Sequence, residues 1–282
     1  MRVAGVLLAV LLIAACPPRR ARVVYAPPCV VVPHAAVVGP TVPPLPPAKA
    51  ADSELDAHLN AWEVKTASVT SFRAEIVFKR TDAVLKKESN FQGVALWMKP
   101  NLAVLRLDNT GDPTKTDYEA YICDGKSVYV YSGVAKTITE FKLPLEGLSQ
   151  RLLGTQTDAF DIVTGMTAKG MKERFDISLL KTDEHYICLD IKPLLAKDQR
   201  EFKHLRMALY GPGPKTATFA YLPAQVYLLK PNDDTEVWKF TNPQVNLPSI
   251  SPDNFKFVDI KAAGWKVRKW PGSAEQIPPA KP

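Results

Sequence analysis

The stretch that decides the fold runs from residue 68 to residue 131 and reads SVTSFRAEIVFKRTDAVLKKESNFQGVALWMKPNLAVLRLDNTGDPTKTDYEAYICDGKSVYVY. Apolar and polar side chains alternate in its first run, where Phe72, Ile76 and Phe78 share one phase and Glu75 takes the other. A period of two residues places successive side chains on opposite faces of a β-strand. The stretch therefore predicts a sheet with one strongly apolar face.

The next two runs of the stretch, 91–98 and 102–108, are apolar in both phases. Pro100 separates them, because proline has no N–H to donate and biases its neighbour toward extended or turn geometry. Asp124 and Gly125 then predict a two-residue hairpin turn between two further strands. A sheet that is apolar on both faces must be covered on both sides or must line a cavity.

The same residues resemble the bacterial lipoprotein carrier family, which comprises the periplasmic carrier and the outer-membrane lipoprotein receptor of the LolA/LolB type. The resemblance covers roughly residues 55–267. It is carried by the order and spacing of short motifs, which are Ser68-Val69-Thr70-Ser71-Phe72, Gly93, Leu96-Trp97-Met98-Lys99-Pro100-Asn101-Leu102, Asp124-Gly125, Tyr129, Tyr131, Phe240-Thr241-Asn242, Asn246, Ile250, Asp253 and Phe255-Lys256-Phe257.

The resemblance implies an α+β, mainly β fold, a curved antiparallel half-barrel sheet with a few lid helices over a hydrophobic cavity. Lys99 occupies the place of a family arginine that contacts the lid. The side chains predicted to line the cavity are the large apolar ones of the inner phase and of the lid, namely Phe72, Ile76, Phe78, Phe91, Trp97, Leu105, Leu107, Tyr129, Leu148, Leu152, Phe160 and Met166.

The N-terminus predicts export. Residues 1–15 form a signal peptide with a short basic start and an apolar core too short to span a bilayer. Leu12-Ile13-Ala14-Ala15-Cys16 resembles a lipobox, in which Cys16 becomes the lipidated N-terminus. The alternative is an ordinary signal peptide with an incidental cysteine.

Ten prolines between residues 16 and 50 predict a lipidated, semi-rigid, extended tether rather than a folded unit. Arg19, Arg20 and Arg22 lie next to Cys16, either against anionic headgroups or in solvent. Residues 51–270 are predicted to form the half-barrel domain, and the proline-rich residues 271–282 a disordered tail. A net charge of +7 with no nucleic-acid-reading motif predicts no binding to nucleic acid.

Helical spacing of Leu55, Leu59 and Trp62 predicts a first helix over about 52–67, with Ser53 in a capping box. Segments 144–153 and 160–166 predict short amphipathic lid helices. The second half predicts further strands separated by turn signals, at 137–141, 175–180, 185–192, 202–210, 217–221, 225–230, 235–240 and 255–260.

The sequence predicts neither an enzyme nor a metal or cofactor site. Cys123 and Cys188 fall in predicted strands, where they either pair across the sheet or stay as free thiols. His185 and His204 lie on predicted neighbouring strands, but no nucleophile elbow or metalloprotease helix accompanies them.

These features predict a monomeric, non-enzymatic lipoprotein of the cell envelope. It would face the periplasm, sit on the outer rather than the inner membrane through its lipid anchor, and bind acyl chains such as palmitate, as carried by lipids or lipoproteins. The alternative is an envelope sensor or scaffold that uses the same half-barrel to bind a protein or peptide.

Overall fold

The computed structural model describes residues 48–142, 166–258, 260 and 264–269. One long helix precedes a sheet, and shorter helices interrupt the second half of the chain. The elements are α1 Ala48–Ser68, β1 Ser71–Asp82, β2 Lys87–Met98, β3 Leu102–Asn109, β4 Tyr118–Asp124, β5 Ser127–Ser132, β6 Thr137–Lys142, α2 Ala168–Arg174, β7 Phe175–Thr182, β8 Tyr186–Pro193, α3 Ala196–Gln199, β9 His204–Tyr210, β10 Pro223–Leu229, β11 Thr235–Val245 and β12 Lys266–Lys269, with 3-10 helices at Ala217–Phe219 and Pro252–Phe255.

The strands form one open, curved sheet in the order β12-β6-β5-β4-β3-β2-β1-β11-β10-β9-β8-β7. Strands β1 to β6 pair with one another in chain order and form one half of the sheet, and β7 to β11 do the same in the other half. The long pairing of β1 with β11 joins the two halves. The predicted mainly β, antiparallel architecture is confirmed. Its exception is β12, which pairs in parallel with β6 at one edge.

Strand register divides the side chains between two faces. Phe78 pairs with Phe91 on β2 and with Trp238 on β11, so these three rings share one face, which we call the phenylalanine face. Gly93 lies on that face as well. A Cβ there would come within 1.6 Å of the carbonyl oxygen of Arg106, so the close approach of β2 to β3 requires glycine.

The C-terminal segment covers the opposite face over β4 and β5. Phe257 stacks on Tyr129 at 4.3 Å between ring centroids, and the Tyr131 hydroxyl donates to the Val258 carbonyl at 3.1 Å. Phe255 is completely buried. The strand predicted at 255–260 is therefore wrong, because Phe255 ends a 3-10 helix and the rings that follow pack on a sheet face.

The strand predicted at 217–221 is also wrong. Residues Ala217–Phe219 form a 3-10 helix, closed by a 3.0 Å hydrogen bond from the Phe219 N–H to the Thr216 carbonyl. Tyr221 follows with φ of +63°, which lies outside the extended β region. Local hydrogen bonds thus replace the sheet pairing that the apolar alternation predicted.

Helix α1 buries the predicted stripe, since Leu55, Leu59 and Trp62 are at most 6% exposed. It begins at Ala48, so Ser53 lies inside the helix and the predicted capping box is wrong. Within the described part of the chain, no helix combines the length and apolarity needed to cross a bilayer.

Neither alternative for the two strand cysteines is correct. Cys123 is a free thiol, whereas Cys188 takes part in a disulfide, so the two do not pair with each other. Strands β4 and β8 lie in different halves of the sheet, which separates these side chains. Burial is the largest influence on the Cys123 thiol and raises its pKa above the usual value.

Candidate functional site

The phenylalanine face gathers most of the predicted cavity residues. Strand register places seven of them together on it, of which Phe72 and Trp97 are half-buried. The other five are buried within the core, namely Ile76, Phe78, Phe91, Leu105 and Leu107.

The remaining predicted lining residues are not part of this group. Tyr129 pairs with Ile122 and lies on the opposite face, under Phe257. Met166 is half-buried against the core and receives a contact of 3.8 Å from Arg174 Nη1 to its sulfur. Leu148, Leu152 and Phe160 lie outside the described residues, as do the predicted lid helices apart from Met166 itself.

An aromatic stack runs across the phenylalanine face. The rings of Phe78 and Phe91 lie 5.6 Å apart, and Trp238 stacks on Phe78 at 4.0 Å. Such pairs add about 0.5–1.5 kcal/mol beyond the area that they bury. Sequence reasoning missed Trp238, although the predicted strand over 235–240 and its alternation with Val237 and Lys239 could have indicated its phase.

A charged cluster lies beside this stack. The Arg80 guanidinium stands 5.2 Å from the Phe78 ring centre, and its nitrogens lie 3.6 Å from Glu236 Oε1 and 4.0 Å from Glu119 Oε1. Lys230 Nζ approaches Glu236 Oε1 at 2.5 Å. The charged cluster thus places two cationic and two anionic side chains beside the aromatic stack of the phenylalanine face.

Two aromatic side chains hold the carboxylates of the cluster in place. The Tyr121 hydroxyl donates to Glu119 Oε2 at 2.6 Å, and the Trp238 indole N–H donates to Glu236 Oε2 at 3.3 Å. Burial and then the nearby Glu119 charge raise the pKa of Tyr121 far above its usual value. Tyr121 therefore keeps its proton and acts as a donor.

The cluster also reports the direction in which the sheet curves. Arg80 is on β1 and Glu119 is on β4, three strand positions away. Three spacings of about 4.8 Å separate such strands by roughly 14 Å in a flat sheet. Their side chains nevertheless approach to 4.0 Å, so we infer that the sheet curls toward the phenylalanine face and makes it concave.

Lys99 meets α1 at the edge of this face. Its ammonium group donates to the carbonyls of Thr66 at 3.2 Å and Ala67 at 2.8 Å, which are end groups of the helix. It also lies 5.9 Å from the Trp97 ring centre. These contacts satisfy carbonyls that a helix leaves unpaired at its C-terminus and place a cation at the negative end of the helix dipole.

The two strand histidines do not face each other. His204 Nε2 hydrogen-bonds to the buried Asp190 carboxylate, which also accepts from Arg206 Nε at 3.1 Å, whereas His185 lies beside Glu184. Burial raises the pKa of Asp190, but the hydrogen bonds from His204 and Arg206 outweigh it and hold that pKa below its usual 3.8. This group lies on the opposite face of the sheet.

A shallow depression between α1 and α2 is lined mainly by residues with charged or amide side chains. Its lining includes Asp56, Asn60 and Lys172, and Lys172 forms an ion pair with Asp56. Among the side chains that the structure describes, no three potential metal ligands converge.

No family model matches the chain, and no curated protein matches it significantly in sequence. Solved structures with similar folds include an uncharacterized conserved protein from Thermus thermophilus, with a TM-score of 0.43, 8% identity, and coverage of 78% of this chain and 99% of that one. A LolA superfamily protein from Nitrosomonas europaea has a TM-score of 0.35 and 10% identity, covering 73% and 97% of the two chains. The lipoprotein LppX from Mycobacterium tuberculosis has a TM-score of 0.37 and 10% identity, covering 71% and 98%.

The family that the sequence resembles is thus found among the structural neighbours. Because the TM-scores are below 0.5 and the identities are below 25%, these neighbours do not identify the ligand of this chain.

Proposed function

We propose that the protein is a non-enzymatic carrier or receptor of the cell envelope that binds acyl chains of lipids or lipoproteins on the phenylalanine face. The observation that supports this most directly is the apolar stack of Phe78, Phe91 and Trp238, a surface in which the two phenylalanines are buried and Trp238 is half-buried. Flexible hydrocarbon is the ligand that such a surface binds without leaving polar groups unpaired. The half-buried Phe72 and Trp97 extend this surface toward solvent.

Energetics restrict how the chains would be held. A buried methylene contributes about 0.8 kcal/mol, so one chain of about 16 carbons would contribute roughly 12 kcal/mol if fully buried. Three such chains would exceed the limit of about 20 kcal/mol that noncovalent affinities reach. A protein that also releases its cargo must therefore bury the chains in part.

Mass spectrometry of protein purified without detergent tests the proposal. Co-purifying acyl lipid supports it. An empty protein that brings a defined polypeptide with it would contradict it and favour the envelope sensor or scaffold.

A matched pair of variants on β1 locates the site. Phe72→Ala removes an aromatic contact from the phenylalanine face, and Val77→Ala removes a 48% exposed side chain from the opposite face of the same strand. We expect the first to weaken binding of a fluorescent fatty acid by roughly tenfold or more and the second to leave it unchanged. Equal effects would place the chain elsewhere.

We further propose that the N-terminus anchors the protein to the outer membrane through lipid on Cys16, with the prolines of 16–50 acting as a spacer and residues 1–15 removed on export. The lipobox-like motif around Cys16 supports the lipid anchor. Residue 17 is proline and not the aspartate that retains some lipoproteins in the inner membrane, which supports the outer membrane. Metabolic labelling with a clickable fatty acid would mark the wild-type protein and not Cys16→Ser. Equal labelling of both would refute the anchor.

A further inference from the structure

Arg80, on the phenylalanine face, leaves hydrogen-bonding capacity unused among the residues that the structure describes. Its Nε is buried and has no hydrogen-bond partner within the described part of the chain. Its nearest carboxylate oxygens, on Glu236 and Glu119, are 3.6 and 4.0 Å away, beyond hydrogen-bond length. A guanidinium carries five N–H donors in a rigid plane, and leaving them unpaired next to apolar side chains costs free energy.

The group is open to a ligand from one side. The Arg80 and Glu119 side chains are 33% and 36% exposed, whereas Glu236 is 5% exposed and lies beneath them. Glu119 uses Oε2 to accept from Tyr121, while Oε1 has no nearer described cation than Arg80. A molecule on this face therefore meets, side by side, donors on Arg80 and an acceptor on Glu119 that the described residues leave unused.

The charge of the cluster selects the kind of headgroup. Arg80 and Lys230 supply two positive charges, and Glu119 and Glu236 supply two negative ones, so the cluster is neutral. An anionic headgroup that reached Arg80 would approach two carboxylates, and a cationic one would approach two cations. An uncharged headgroup with carbonyl oxygens for Arg80 and hydroxyl groups for Glu119 satisfies both sides without adding charge.

We propose that Arg80 and Glu119 form a headgroup site for the ester of a neutral acylated polyol, whose hydrocarbon chain extends over the half-buried ring of Trp238, which stacks on Phe78. This inference rests on the proposed acyl-binding function and adds the polar end of the ligand to it. The Arg80 guanidinium, 5.2 Å from the Phe78 ring, marks the point where polar and apolar parts of the ligand meet.

Calorimetric titration of the full chain with three ligands of equal chain length tests this site. Glycerol monolaurate carries the neutral ester, laurate carries an anion, and 1-dodecanol carries neither. We expect the wild type to prefer glycerol monolaurate. We expect Arg80→Met to weaken that ligand by roughly tenfold to a hundredfold and to leave 1-dodecanol unchanged. Unchanged 1-dodecanol binding also shows that the variant is folded.

Two further variants separate specific effects from general ones. Arg73→Met removes the same residue type from the opposite face of the same strand, and we expect it to change none of the three affinities. Arg80→Lys keeps the charge but loses the planar fork, so we expect it to recover only part of the preference for the ester.

Each contrary result has a distinct meaning. If Arg80→Met leaves the ratio of glycerol monolaurate to 1-dodecanol affinity unchanged, the headgroup site is refuted while acyl binding stands. If the wild type prefers laurate through Arg80, the neutral headgroup is refuted. If the wild type binds none of the three ligands, acyl binding fails and the headgroup site fails with it.

Discussion

The carboxylate of Asp198 is completely buried, and replacing it should be among the most destabilising single changes in the protein. It accepts from Arg174 Nη2 at 2.8 Å and from Arg174 Nε at 3.2 Å, which joins the last residue of α2 to α3. The Arg174 side chain is only 17% exposed. Asp198→Ala therefore removes both of these hydrogen bonds from a guanidinium that cannot be fully rehydrated.

Breaking a buried pair by removing one partner costs about 3–5 kcal/mol. For a folded domain of this size, each kcal/mol lowers the melting temperature by about 2–4 °C. The expected fall in melting temperature is thus about 6–20 °C, which calorimetry would resolve easily. Urea unfolding followed by tryptophan fluorescence gives the same free energy independently.

Lys197→Ala is the matched control, because Lys197 Nζ lies 3.8 Å from the same carboxylate but is 55% exposed. Exposed ion pairs contribute about 0–1 kcal/mol, so this variant should unfold almost as the wild type does. Arg174→Met combined with Asp198→Ala should be less destabilising than the sum of the two single changes. Strict additivity, or a loss below about 1 kcal/mol for Asp198→Ala, would refute the reasoning.

Lys99→Met should lower the free energy of unfolding by about 0.5–1 kcal/mol, because it removes a cation from the C-terminal carbonyls of α1. In urea titrations, Lys99→Arg should retain most of the stability that Lys99→Met loses. A Lys99→Met variant as stable as the wild type would contradict this. Asp190→Asn should remove a pH-dependent contribution to stability. The folded pKa of Asp190 lies below 3.8, so its contribution is present above that pH and disappears as the pH falls through the folded pKa. The difference in unfolding free energy between wild type and Asp190→Asn should shrink in acid, and a constant difference across the titration would show that His204 and Arg206 do not set this pKa.

Much of the sheet could be predicted because its signal is local. Alternation around Phe72 and Ile76, the break at Pro100 and the hairpin at Asp124-Gly125 each predict one element from a few neighbouring residues, and the structure has β1 to β5 at those places. The predicted face of β1 also agrees with the pairing register. Alternation of apolar and polar residues specifies the face of the sheet on which each side chain lies.

The same alternation gives a wrong prediction where the apolar side chains pack on the sheet and their backbone does not pair with a strand. Phe255 and Phe257 are two positions apart, as in a strand, yet they cover the opposite face of the sheet without joining it. Tyr129 was predicted to line the cavity and instead lies under Phe257, because its phase follows from its pairing with Ile122. Such partners are far away in sequence, so only the folded chain identifies them.

Part of the charged cluster can be predicted from the sequence, and part of it requires the folded structure. Arg80, Glu119 and Glu236 each lie two positions from an aromatic residue of the same strand, so each charge falls in an apolar phase. A charge in that phase is costly unless it is paired, and three such cases on separate strands already indicate that polar groups meet on the face. The sequence does not predict the curvature of the sheet that brings β1 close to β4. This curvature places the charged side chains of separate strands together in one neutral group of donors and acceptors. The ligand selectivity of the site would then depend on the balance of those charges. If the headgroup assignment is correct, Glu119→Gln should shift the ligand preference from glycerol monolaurate toward laurate. If Arg80 acts only as a structural ion-pair partner, the preference should not change.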